Sequence, residues 1–319
     1  MTKTVLVLNN PSSISILFTP LRAQVDEIWI ERGASEKLDR GISQALRVLN
    51  IGHDLPIRNM DTKNLFSAGR KRLGKVVTYR RIAAEIDSIC RHTGVTEIVC
   101  STTSAFRLAR VPRLHVVDHG AGDYLRTRRQ TRAERLKYAW LYSGPALRTF
   151  SYYAFLPLSG RVHLPLERTL IHERVSRLEH PFAPGRVSVI LLVYPLIPLD
   201  EQLHRLHLAM AGTPYEVYLK GHHFDPQQFP KRGKSDGDLP ALRKLPESLD
   251  VLPAEFLIWG FDAELRLGAF ESTALWNIGA DVADRVIPLA QRDEILALPG
   301  PYGSGLASLE SDLGYSPFR

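Results

Sequence analysis

The chain has 319 residues, 44% hydrophobic and 24% charged, with a net charge of +7 and a pI near 9.4. This length exceeds the usual single domain and points to two, while the balance of apolar and charged residues excludes a collagen, a coiled coil or long disorder. No apolar run reaches the roughly 18 residues a spanning helix needs, so membrane association, if any, is peripheral.

The positive charge is mostly arginine, gathered in residues 70–81, 107–113 and 126–135. Such stretches favour anionic partners: nucleic acid, an anionic membrane or an acidic saccharide. They are equally the composition of solvated helix faces. Cys90 and Cys100 are the only cysteines and lack CxxC spacing, which argues against a disulfide framework or a zinc site and fits a reducing cytoplasm. The N-terminus enters a strand without the basic segment, apolar core and small-residue cleavage site of a leader.

Residues 4–8 form a short aliphatic run that ends in Asn9-Asn10-Pro11-Ser12-Ser13, a strand entering a turn and a helix cap. Strand-like runs recur at 27–30, 97–100 and 114–117, separated by helical periodicity over 42–49 and 81–90. This alternation predicts a parallel sheet covered by helices. Residues 132–142 have helical character, and 145–165 are aromatic, broken by Pro and Gly, and without clear period. We read 164–184 as the crossing between domains. The alternation restarts with strands at 187–193 and 215–219, a helix over 200–211, and a strand at 265–270 followed by a helical segment at 272–278. Residues 227–249 read as a polar loop, expected to be mobile. The expected fold class is therefore α/β and GT-B-like: two Rossmann-like domains, 1–165 and 166–319, facing each other across a cleft.

The chemistry-bearing residues fall at predicted strand ends, where α/β enzymes hold their ligands. Asp118 begins the run Asp118-His119-Gly120-Ala121-Gly122-Asp123-Tyr124. Its carboxylate could serve as a general base, or simply cap the turn. Lys220-Gly221-His222-His223 offers an ammonium and an imidazole to a leaving phosphate. Adjacent residues of an extended segment point to opposite sides, so only one of the two histidines faces a ligand. Glu271-Ser272-Thr273 marks a strand turning into a helix, and the hydroxyls with the first N–H groups suit an anion, with helix capping as the structural alternative. The Asp236-Gly237-Asp238 triplet matches an Asp-x-Asp pattern but sits among lysines and glycine, and we assign it to a surface turn rather than to a metal.

These three motifs together resemble those of bacterial GT-B sialyltransferases and polysialyltransferases, which carry an acidic pair followed by Gly-x-Gly-x-Tyr, a Lys-x-His-Pro element and a Ser-Ser or Ser-Thr pair. His119 replaces the second acidic residue and His223 the proline. The resemblance extends thinly over most of the chain, including the Asn9–Ser12 turn and the segment Leu252-Pro253-Ala254-Glu255. It implies metal-independent transfer, with inversion, of sialic acid or Kdo from the CMP-sugar to a saccharide or glycolipid hydroxyl, with no cofactor. Asp118 would then be the base and His222 the group that engages the departing phosphate. Lys220, His223, Ser272 and Thr273 would bind the donor, and Glu255 a ribose hydroxyl. A cytoplasmic enzyme of surface-polysaccharide synthesis, peripheral at the membrane and with no nucleic-acid partner, is the expectation. The alternatives are a UDP-sugar glycosyltransferase or epimerase of the same fold, and a nonenzymatic nucleic-acid-binding protein. The last lacks the interleaved aromatic and basic pattern of common RNA modules.

Overall fold

The computed structural model describes residues 2–32, 36–51, 55–62, 74–118, 149–194, 197–221, 242–262, 264–279, 281–297 and 301–318. It divides into two compact units, Met1–Leu166 and Glu167–Arg319.

In the first unit, β1 (Thr4–Leu8) runs into a 3-10 segment (Pro11–Phe18), followed by β2 (Glu27–Arg32), α1 (Glu36–Val48), β3 (Ile57–Asp61), α2 (Gly74–Thr93), β4 (Glu97–Ser101), β5 (Arg113–Val117), β6 (Thr149–Ala154) and β7 (Val162–His163). The strands form one sheet in the order β3-β2-β1-β4-β5-β6-β7, parallel throughout. Strands β1 and β4 are buried at every position, as a parallel sheet covered on both faces requires. On one face Val5, Val7, Trp29, Ile98, Cys100, Leu114 and Val116 pack with Ile82, Ile86 and Cys90 of α2. Phe106 meets Trp29 edge-on, with ring centroids 5.5 Å apart. Each such aliphatic side chain contributes about 1.5–3 kcal/mol by leaving water.

The second unit contains α3 (Arg168–Val175), β8 (Val187–Leu192), α4 (Leu199–Ala209), β9 (Tyr215–Lys220), β10 (Leu242–Lys244), α5 (Glu247–Asp250), α6 (Ala254–Gly260), β11 (Leu265–Ala269), α7 (Thr273–Gly279), β12 (Val286–Pro288), α8 (Arg292–Ala297) and α9 (Pro301–Leu313). Its sheet, also parallel throughout, has the order β10-β9-β8-β11-β12. Helix α6 packs so tightly on α3 that a Cβ at Gly260 would lie 2.3 Å from Val175 Cγ1, so only glycine fits. Among the described residues no helix is long and apolar enough to cross a membrane.

Two doubly wound α/β units in tandem are what the sequence predicts. Two stretches differ from the expectation. Residues 145–165 hold β6 and β7, and the stretch read as one loop, 227–249, contains β10 and most of α5. These strands, like β3, lie at or toward a sheet edge. There one side of the pairing is lost and the apolar run that marks a central strand is not needed.

In both sheets the first strand of the unit is flanked by the next strand in sequence on one side and by a later strand on the other. The chain therefore reverses its direction of winding between β1 and β4, and again between β8 and β11. Such switch points open a crevice beyond the carboxyl ends of the strands, which is where doubly wound sheets bind ligands.

Candidate functional site

At the β8/β11 switch point two segments leave the sheet side by side. Strand β8 continues into Val193 and Tyr194, and β11 into Phe270, Glu271 and Ser272 before α7 starts at Thr273. The Tyr194 ring stacks on Phe270 at a centroid distance of 6.1 Å and an interplanar angle of 18°. Arg205 of α4 lies over the Phe270 ring, 4.9 Å from its centroid. Arg205 is itself fixed by Glu201 at 2.6 Å and Glu294 at 2.8 Å. Burial pushes the half-buried Glu271 carboxyl above the usual carboxylate range. Burial also raises the Tyr194 phenol, with the nearby Glu271 charge adding to it. Ser272 Oγ accepts from the Ala274 N–H at 3.2 Å, a capping bond at the helix start.

Below this edge sits a second polar group. Lys220, at the end of β9, is 1% exposed and donates to the Asp250 carbonyl oxygen, with its Nζ 3.7 Å from the Asp250 carboxylate. Burial lowers its pKa, opposed by the charges of Asp250 and Glu255. Glu255, in the first turn of α6, accepts from Asn277 Nδ2 at 3.1 Å. Burial raises its carboxyl, opposed by the Asn277 bond and by Lys220. Asn277 is nearly fully buried, and its Oδ1 has no hydrogen-bond partner among the described residues. Thr273 and Asn277 are four residues apart on α7 and so share a face. Lys220, Glu255, Asn277 and the helix start thus form one polar neighbourhood. Asn277 and Tyr194 carry no motif signal, and neither was legible as a site residue.

In the first unit Asp118 follows β5. It is buried, donates its N–H to the Tyr153 carbonyl at 2.8 Å, and accepts from Arg161 Nε at 2.5 Å through Oδ2. The carboxylate read as a base is therefore also half of an ion pair with a residue 43 positions away. At the β1/β4 switch point the polar side chains bond to one another. Asn9 Nδ2 donates to Thr103 Oγ1 at 2.9 Å, Ser101 Oγ donates to Asn9 Oδ1 at 2.8 Å, and the two hydroxyls lie 2.9 Å apart. Asn10 caps the 3-10 segment by accepting from the Ser13 N–H at 3.0 Å. Buried Glu31 accepts from Ser104 Oγ at 2.6 Å and the Ala105 N–H at 3.0 Å. Residues 119–124, His222, His223 and the Asp236–Asp238 triplet lie outside the described residues.

No protein-family model matches the chain, and no curated protein matches it. Solved structures of similar fold include the UDP-GlcNAc 2-epimerase from Methanocaldococcus jannaschii, at 10% identity and a TM-score of 0.48, covering 100% of this chain and 96% of that one. The spinosyn rhamnosyltransferase SpnG is 12% identical with a TM-score of 0.45, covering 99% and 93%. The Acinetobacter baumannii MurG is 12% identical with a TM-score of 0.43, covering 97% and 83%. The fold assignment rests on the strand order and register given above. The resemblance to CMP-dependent sialyltransferases is overturned, since no family model supports it and the similar structures are sugar-nucleotide epimerases and glycosyltransferases of other kinds. The physical reason is that Asp, Lys and Ser-Thr at strand ends are positions any doubly wound sheet offers to a ligand, so the motifs reported the architecture and not the donor.

Proposed function

We propose that the chain is a glycosyltransferase of the two-Rossmann GT-B kind that takes a UDP-sugar, with the nucleotide docking at the β8/β11 switch point. The observation that carries this reading is the unfinished polar group at that edge. Asn277 Oδ1 is buried without a partner among the described residues, and the half-buried Glu271 carboxyl, six positions earlier, is raised by burial. Buried polar atoms are normally satisfied, and an exception at a switch point marks where a ligand completes the bonding.

In this reading the Ser272 and Thr273 hydroxyls face the phosphates, while the Ala274 and Leu275 N–H groups are taken by Ser272. Glu255, oriented by Asn277, accepts from a ribose hydroxyl, and Lys220 balances the charge beneath. Tyr194 lies against the nucleotide at the mouth. Asp118 is the candidate for the group that takes the acceptor hydroxyl proton, with Arg161 fixing its orientation. The imidazole of His222 or His223 follows Lys220 closely enough in sequence to serve the leaving phosphate. The choice of UDP among nucleotides is an analogy of architecture, and calorimetry decides it. UDP, CMP and TDP are titrated into the protein at two salt concentrations, so that unspecific attraction to a basic chain is recognised by its loss on screening. Saturable UDP binding that survives the higher salt supports the proposal; a preference for CMP, or no binding, defeats it. Turnover of UDP-N-acetylglucosamine without any acceptor would replace transfer by epimerisation.

A further inference from the structure

Helix α4 buries Leu199, Leu203 and Leu206, and among them a fully buried glutamine, Gln202. A primary amide in that stripe is costly unless all of its groups are bonded. Gln202 meets the condition through the segment that leaves β8. The Tyr194 N–H donates to Gln202 Oε1 at 3.0 Å, and Gln202 Nε2 donates to the carbonyls of Tyr194 at 2.8 Å and Ile197 at 2.7 Å. One side chain therefore bonds both backbone groups of Tyr194, as a neighbouring strand residue would, at a point where the strand has ended. The sequence gives a reason for using a side chain here. Residues 195 and 198 are prolines, which have no N–H to contribute, and the backbone turn that remains is closed only by a long bond of 3.4 Å from the Ile197 N–H to the Tyr194 carbonyl. Asparagine is one methylene shorter, glutamate can accept but not donate when ionised, and methionine fills the volume without either function.

We infer that Gln202 is a positioning residue of the nucleotide site: it staples the β8–α4 connection, holds Tyr194 against Phe270 at the switch point, and acts on the ligand only through that loop. This rests on the placement of the nucleotide at the β8/β11 edge.

The test combines hydrogen exchange at the Tyr194 amide with UDP calorimetry on the wild type, Gln202→Met, Gln202→Glu, Tyr194→Ala and the Gln202→Met/Tyr194→Ala double variant. The wild-type Tyr194 amide is expected to be protected and to exchange freely in Gln202→Met. Gln202→Glu keeps the acceptor and should retain part of the protection. The UDP Kd should rise about ten- to a hundredfold in Gln202→Met, as loss of site geometry does. The double variant should bind no more weakly than the weaker single variant, because both act through one loop. Should Gln202→Met fail to fold, Gln202→Glu carries the same comparison. An unprotected Tyr194 amide in the wild type, wild-type UDP affinity in a variant whose amide has been freed, or additive losses in the double variant would each overturn the inference. A wild-type chain that binds none of UDP, CMP or TDP defeats the nucleotide reading, and the positioning role with it. Lost protection in Gln202→Met would then still establish the staple.

Discussion

The two switch points share a topology and differ in how they use their polar groups. In the first unit Asn9, Ser101 and Thr103 close a ring of hydrogen bonds, Glu31 takes both a hydroxyl and a backbone N–H, and Asp118 holds Arg161. In the second unit Asn277 Oδ1 is buried without a partner among the described residues, on the helix that starts beside an aromatic stack. At the β1/β4 edge Asn9, Ser101 and Thr103 bond to one another, whereas near the β8/β11 edge a buried amide oxygen has no partner among the described residues.

That contrast can be broken by experiment. The largest effect is expected from Arg161→Ala, which strips the guanidinium from a buried carboxylate and should cost about 3 kcal/mol, read as a lower urea midpoint. A loss below about 1 kcal/mol would mean that the first edge is not held by this pair. Next, Asn277→Leu should weaken UDP binding about tenfold, or 1.4 kcal/mol, by releasing Glu255; unchanged affinity would remove Asn277 from the site. Thr103→Val should lower stability by about 1 kcal/mol, the worth of a hydrogen bond, and leave UDP affinity as it was. A matching loss of affinity would show that the first edge also serves the nucleotide.

The smallest effect concerns pH. Burial raises the Glu31 carboxyl above its ordinary value of 4.5, so the folded chain binds the proton more tightly than the unfolded one. The stability this contributes is complete below 4.5 and is lost as pH rises through the folded value. Glu31→Gln should flatten the fall in melting temperature over that window, and an unchanged slope would show that Glu31 does not titrate with folding.

The alternation of buried strands and helices was legible because central parallel strands need continuous apolar runs, as in β1, β4 and β8. The edge strands were not. In β3, four of five residues are exposed, so no apolar pattern was there to read. At the sites, strand-end residues such as Asp118, Lys220 and Ser272 stood out from the local pattern. Their partners did not, because Arg161 is 43 residues from Asp118, Ser104 is 73 from Glu31 and Asn277 is 22 from Glu255. Those pairings follow from strand order, which local periodicity does not encode. Gln202 was hidden for another reason: a glutamine in the first turns of a helix reads as a solvated position unless the path of the preceding loop is known.

The fully parallel pairing of both sheets bears on how the chain is made. Among the described strands neither ladder contains a hairpin through which neighbours could zip up by a short turn, and the central strand of the first unit must wait for a partner far along the chain: Lys3 is joined to Thr96, 93 residues away. Pairing at such separations is slow. On the ribosome, β1 and β2 emerge long before β4 can flank them, and for that interval one apolar side of the nascent sheet stands open, the period in which chaperone capture or aggregation has its best opportunity.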